Sequence, residues 1–451
     1  MVFSSIIFLF MFLPLFLICY FLTKKIKVKN IILLIFSLLF YAWGEPFYFF
    51  LMIFMIIVNY FLAIKMDEEK NKKILVFLII FNLLSLFSFK YLNFFINNIN
   101  GLFNINLSNI SLTLPIGISF YTFQILSYVV DVYRGKVKVQ KSFINLACYV
   151  SAFPQLIAGP IVRYADIEKE INDRKTNLND VYDGLRRFII GLSKKVLIAN
   201  NVSFICDSIF NNGIINTGFI GIVIAIIAYT LQIYFDFSGY SDMAIGLGRI
   251  CGFHYNENFN MPYLASSITD FWRRWHISLS SFFRDYVYIP LGGNRVSKYK
   301  FIRNILIVWI LTGLWHGDSW NFVLWGLYYG IILLIEKFFF KDNKSKIYRV
   351  ITIIIISIGW LIFRETNFSD LITSFKTLFG GYGFGSINSL SMLGVLSFRY
   401  IIAFIMGIIF SFTSFKIKNK KIKDILLVLL FILSIISIVV SSYNPFIYFR
   451  F

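Results

Sequence analysis

The chain has 451 residues, of which 58% are hydrophobic, 20% aromatic and only 15% charged, and its formal net charge is +20. A soluble domain is nearer half apolar and about a quarter charged, so a water-facing surface over this length is excluded. The excess charge does not describe a nucleic-acid face, because it is gathered between apolar runs, at 24–29, 134–141, 295–303 and 416–423, where basic residues mark the cytoplasmic ends of membrane helices.

A spanning helix takes about 20 apolar residues, fewer where it stops short inside the protein. In chain order the apolar runs predict spans near 3–22, 30–43, 47–64, 74–96, 115–133, 144–161, 186–206 and 216–236. Later ones fall near 303–315, 318–340, 350–364, 398–414 and 424–442. The first run lacks the basic start and small-residue cleavage site of a signal peptide, and reads as a retained span. Between them, 237–300 mixes glycine, aromatics and charges, which predicts short re-entrant or interfacial helices. The expected fold class is an all-α polytopic membrane protein.

If the basic loops at 24–29, 65–73 and 134–141 are cytoplasmic, the loops between them should be poor in Lys and Arg. The segments 43–46 and 97–113 contain neither. The lysines of 416–423 place that loop inside as well, so both termini are expected on the extracytoplasmic side, with an odd number of full crossings. No 20- to 50-residue repeat is read. The glycine-rich 379–385 follows no strand and opens no helix, so it reads as an external loop and not a phosphate cradle.

Polar residues inside membrane segments are costly and ask for a reason. The first such place is 309–330. From Arg303 to His316 the apolar run covers about 13 residues, roughly 20 Å of helix and short of a ~30 Å hydrocarbon core. His316 is therefore expected at depth, at a helix break made by Gly313 or Gly317, with Trp315, Trp320, Asp318 and Asn321 beside it. A neutral imidazole there can take a proton from a hydroxyl. A packed histidine satisfied by a carbonyl is the plainer alternative, and the residues alone leave the two even.

The second place is 266–295. Ser267 and Asp270 have the spacing of a capping box, and Asp270 precedes Arg274 by one helical turn. Trp272, Trp275, Leu279, Phe282 and Phe283, with Arg273, Arg274 and Arg284, describe an amphipathic interfacial helix. His276 is expected on its apolar face, and interfacial anchoring does not account for a histidine there. The third place is 229–250, where Asp236 and Asp242 stand six residues apart and off a common helical face, which argues against a paired-carboxylate site and for structural hydrogen bonding. In 151–164, Pro154 and Pro160 break helices, while Gln155 and Arg163 either line a cavity or cap. His254, polar on both sides, reads as a surface loop histidine. Cys19, Cys148, Cys206 and Cys251 have no zinc-site spacing, and no metal is expected.

The stretches PQLIAGPIVRY, YFDFSGYSDMAIGLGRICGF, DFWRRWHISLSSFFRDYVYIPLGGNR and LTGLWHGDSWNFVLWGLYYG, with the ending NPFIYFRF, occur in this order from about 40 to 451. Together they resemble the bacterial membrane-bound O-acyltransferase family. Within it they are most similar to the branch that acetylates alginate, cellulose and related exopolysaccharides. Members that D-alanylate teichoic acid share the histidine signature. The resemblance implies a ring of about 11–13 transmembrane helices, with re-entrant and interfacial helices, around a central tunnel. It implies one acyltransferase domain over 1–451, with 115–364 as its catalytic core.

It also places the family histidine on His316, as general base, and a second functional histidine on His276, which orients or shares the proton. Oxyanion donors or tunnel residues are expected among Trp315, Asn321, Arg273, Gln155 and Asp236. The implied donor is acetyl-CoA, with no bound cofactor, no metal and no covalent enzyme nucleophile. The implied acceptor is an extracytoplasmic polysaccharide, reached directly or through an SGNH-type partner at the bacterial inner membrane. Two alternatives stay open at this point: D-alanyl transfer to teichoic acid, and a transporter that moves a lipid-linked substrate without chemistry.

Overall fold

A computed structural model describes residues 1–340, 345–413, 417–441 and 443–447. Among the described residues every regular element is a helix, with no strand. Eight helices are long and apolar enough to cross a membrane: Ile26–Gly44, Tyr48–Glu69, Lys72–Lys90, Leu178–Asn211, Ile214–Ile250, Trp320–Phe339, Lys346–Arg364 and Lys420–Val440. Phe8–Phe21 and Phe398–Phe412 are shorter apolar helices. The chain is a multi-pass membrane protein. The expected final residues FRF lie outside the described residues.

The described residues gather into two compact units, the first made of Met1–Phe188 and Tyr240–Glu257, the second of Ile189–Gly239 and Asn258–Phe451. In the first, Tyr48–Glu69 turns Phe50, Phe54 and Phe61 outward, between half and two-thirds exposed. The opposite face buries Met52, Met55, Ile56, Ala63 and, with them, Asn59. This arrangement, apolar outside and amide inside, suits a lipid solvent and would be an aggregation surface in water. Asn59 and Asn82 of Lys72–Lys90 exchange amide hydrogen bonds, 3.1 and 2.8 Å long, and each Nδ2 also reaches its own i−4 carbonyl.

The span expected over 144–161 is divided. Phe143–Ser151 ends where Ala152 leaves the helical region, and a single turn, Phe153–Leu156, restarts with Pro154 in its first positions. Proline lacks the N–H a continuing helix needs, and its φ suits a helix start.

In the second unit, Lys298–His316 and Trp320–Phe339 form a helical hairpin. A Cβ on Gly313 would run into the Phe322 carbonyl, and one on Gly326 into the Trp309 carbonyl. The two backbones touch there, as small residues allow. Further along the chain, Gly218 adopts φ 56°, ψ −151°, a conformation that glycine reaches without penalty. That kink aims the N–H groups of Phe219 and Ile220 at the carbonyls of Gly383 and Phe384, at 3.0 and 3.1 Å. The 379–385 loop is thereby docked onto the start of Ile214–Ile250.

Candidate active site

Lys298–His316 is continuous through Gly313, and His316 is its last helical residue. Of the two expected break points Gly317 is the one used: it is fully extended (φ −168°, ψ 172°), and Trp320 begins the return helix. The break leaves the His316 ring half-buried at the end of the helix. Its neighbours are aromatic edges, with centroids 5.0 Å away at Trp315, 5.2 Å at Trp325 and 5.0 Å at Phe363.

His316 opens on a narrow cavity of about 20 Å³, which it lines with Phe237, Trp275, Trp325, Trp360 and Phe363. Ile233 and Ile447 complete the wall. That volume holds about one water molecule. Apart from His316 every lining side chain is apolar or aromatic, so a charge formed in this space meets little water.

The segment that presents Trp275 is a short helix, Ile268–Arg274, fixed at both ends. The Ser267 hydroxyl accepts from Asp270 N–H at 3.1 Å. The Asp270 carboxylate takes the N–H of Ser266, at 3.0 Å, in place of Ser267's. Asp270 and Arg274 form the expected ion pair at 2.8 Å. The capping is completed by Glu336 of Trp320–Phe339, whose buried carboxylate accepts the N–H groups of Ile268 and Thr269 and the Tyr348 hydroxyl, all within 2.9 Å. A carboxylate at a helix start is the favoured end of the helix dipole.

The expected amphipathic helix through His276 does not continue. Trp275 is extended and His276 adopts φ 42°, ψ 54°, after which Ile277–Phe283 begins. A left-handed backbone is uncommon for a residue with a Cβ and is held by its surroundings. His276 is 1% exposed, so it does point away from water, although as a junction residue and not on a helical stripe. Its ring meets Phe237 edge-on at 4.6 Å and Trp315 at 5.8 Å. These two residues link the histidines, Phe237 by lining the His316 cavity and Trp315 by flanking His316. Burial pushes the His276 imidazolium down to a pKa of about 3, which leaves the ring neutral.

The remaining candidates are spread out. Trp315 is buried against both histidines. Asn321 donates its amide to the Glu365 carbonyl and braces the start of Trp320–Phe339. Arg273 is exposed and does not line the cavity. Gln155 belongs to the first unit, fully buried, with Nε2 donating to Tyr149 O. Asp236 is paired with Lys195, while Asp242 is paired with Arg187 in the first unit, so the two aspartates do serve separate structural contacts. His254 is an exposed loop residue against Glu170 at 2.8 Å. No group of three His, Cys, Asp or Glu side chains able to hold a metal ion occurs among the described residues.

Three contributors were not read from the sequence: Lys195, Glu336 and Ile447. A lysine and a glutamate inside apolar runs were the available signals for the first two. Ile447 lay in the quoted ending NPFIYFRF, where nothing singled it out as a cavity residue.

Comparison with known proteins agrees with this architecture. The profile of the membrane-bound O-acyltransferase family matches residues 5–345. The chain is 40% identical over 421 residues to the probable alginate O-acetylase AlgI of Pseudomonas syringae pv. tomato, covering 90% of this chain and 80% of that one. It is 35% identical over 423 residues to the peptidoglycan O-acetyltransferase of Helicobacter pylori, covering 84% and 80%. It is 33% identical over 245 residues to the teichoic acid D-alanyltransferase of Bacillus subtilis, covering 51% of this chain and 60% of the other.

Proposed function

We propose, for a chain that belongs to the membrane-bound O-acyltransferase family and is an O-acyltransferase, that it carries acetyl groups from cytoplasmic acetyl-CoA to a hydroxyl outside a bacterial inner membrane. The acceptor is an extracytoplasmic polysaccharide, reached directly or through an SGNH-type partner protein. Similarity over most of the chain to O-acetylases of alginate and peptidoglycan supports acetyl and glycan. The observation that carries the chemistry is His316 at a helix break, lining a small aromatic cavity.

In this reading the acceptor hydroxyl adds to the thioester carbonyl while His316 takes its proton. The tetrahedral adduct collapses, the new ester forms, and the coenzyme leaves as a thiol that regains a proton from the imidazolium. General-base help of this kind is worth about 10²–10⁴-fold. The surrounding aromatic wall keeps water from hydrolysing the thioester. His276, neutral and buried behind Phe237 and Trp315, orients the hydroxyl and carries no full charge. The motif-bearing segments between 115 and 364 form the catalytic core of one acyltransferase over 1–451.

The test is acetyl transfer from labelled acetyl-CoA to glycan in membranes carrying His316→Ala at normal expression. Loss of transfer is expected, and unchanged transfer would rule out the assignment of the base. D-alanyl transfer is the second reading, supported by the similarity over about half the chain. It predicts that label from acetyl-CoA never reaches the envelope, whereas label from a D-alanyl carrier thioester does.

A further inference from the structure

We infer that Asn258 is a positioning residue that holds His276 in the tautomer protonated at Nδ1, which leaves Nε2 unprotonated. The inference rests on the reading of His276 as the second histidine of acyl transfer. The orientation of an amide is ordinarily ambiguous between its oxygen and its nitrogen, and here a backbone group resolves it. The N–H of Ser278, which can only donate, lies 3.2 Å from Asn258 Oδ1, so the atom at that position accepts and is the oxygen. The Ser278 hydroxyl donates to the same oxygen at 2.9 Å.

His276 Nδ1 lies 3.2 Å from that oxygen. A carbonyl oxygen has no proton to give, and a bare Nδ1 would set one lone pair against another. Nδ1 therefore carries the hydrogen. A neutral imidazole carries only one, and Nε2 is left bare. The Ser278 hydroxyl, 3.4 Å from Nδ1, does not compete, because its own proton is already directed at Asn258.

The backbone is built around this contact. The left-handed turn at His276 brings residues 276 and 278 to the same amide, and the Ile277 N–H closes the pair by donating to Asn258 O at 3.0 Å. Asn258 is fully buried, and its side-chain oxygen collects three donors from one turn. The consequence is a division of labour. A His276 with a proton on Nε2 would be a donor, suited to stabilising an oxyanion. With Nε2 unprotonated the ring is an acceptor, the form that the reading of His276 as the second histidine requires if it is to align the hydroxyl while the proton passes to His316.

The chain has three histidines, so ¹⁵N-histidine spectra of the detergent-solubilised protein can be assigned with His254→Gln, His276→Gln and His316→Gln. The expected spectrum assigns to His276 a protonated Nδ1 and an unprotonated Nε2. Asn258→Leu is expected to mix the tautomers and lower kcat about 10–100-fold, the range for loss of a partner that orients a functional histidine, with KM for acetyl-CoA nearly unchanged. Asn258→Asp, which keeps an oxygen in place, should retain the tautomer and part of kcat, and Ser278→Ala should retain both. A His276 signal with the proton on Nε2, or full kcat in a folded Asn258→Leu, would overturn the role of Asn258. Full activity in His276→Gln would instead overturn the role of His276, whatever the spectrum shows.

Discussion

Lys195 Nζ lies 2.8 Å from Asp236 Oδ1, and the two side chains are 3% and 2% exposed. The pair holds a third element. Lys195 also donates to the Pro445 carbonyl and sits over the Phe446 ring, while Asp236 Oδ2 accepts the Ile447 N–H at 2.9 Å. Ile447 lines the His316 cavity, so one buried ion pair fixes part of the cavity wall. Lys195 lies in a π-helical turn, Lys194–Ala199, a distortion that recurs where helices serve a site.

Removing one partner of a buried ion pair leaves the other charge stranded, at a cost of about 3–5 kcal/mol. Lys195→Met and Asp236→Leu are each expected to lower the melting temperature in detergent sharply. The double variant should recover much of the loss, since no charge is left unpaired. A double variant as unstable as either single one would show that the pair is not the anchor.

On the proposed reading, the acyl group sits in the His316 cavity and the size of that cavity selects the acyl chain. One added methylene is worth about 10–200-fold in discrimination by a tight apolar pocket. Ile447→Ala is expected to raise propionyl transfer relative to acetyl transfer by about tenfold, measured by competition between the two coenzyme thioesters. An unchanged ratio would place the acyl group elsewhere.

The helical hairpin that carries His316 depends on backbone contact at Gly313 and Gly326. Gly313→Ala must push Phe322 away and Gly326→Ala must push Trp309. Overpacking of this kind costs about 1–3 kcal/mol. Both variants should insert normally, melt earlier and lose transfer activity, because His316 lies one turn beyond Gly313. Wild-type melting in both would contradict the packing described.

The buried His276 gives stability a pH dependence. Its pKa is near 6.5 in the unfolded chain and about 3 in the folded one, so between these values the unfolded chain binds the extra proton. Its contribution is fully present above about pH 6.5 and is lost progressively as pH falls toward 3. Thermal melts from pH 7.5 to 4.5 should show a drop that is shallower in His276→Gln than in the wild type. Equal slopes would mean that His276 is not buried in the neutral form.

His316 was legible in the sequence because everything that exposes it is local: a short apolar run, a glycine and a restart at Trp320. The capping of Ile268–Arg274 and its Asp270–Arg274 pair were legible for the same reason. His276 was misplaced on a helical face because RRWHISLS contains no glycine or proline to announce a break. The break is made by Asn258, from an earlier segment that no periodicity connects to it. Asp236 was read only beside Asp242 and Lys195 was not read at all, since the pairing of two distant charges is a property of the fold. Ile447 lies in the quoted ending NPFIYFRF, but nothing in that stretch marks it as a cavity wall, since its place is set by contacts of its backbone.

The exchange of amides between Asn59 and Asn82 bears on how the chain enters the bilayer. Tyr48–Glu69 and Lys72–Lys90 follow one another with a turn of two residues between them. Either helix alone would carry an amide into hydrocarbon whose Nδ2 still reaches its own i−4 carbonyl but whose Oδ1 has lost its donor. As a preformed pair they hide both, so the insertion machinery is best served by releasing them together. Replacing one asparagine by leucine should let its helix enter singly, while its neighbour is left waiting for a partner.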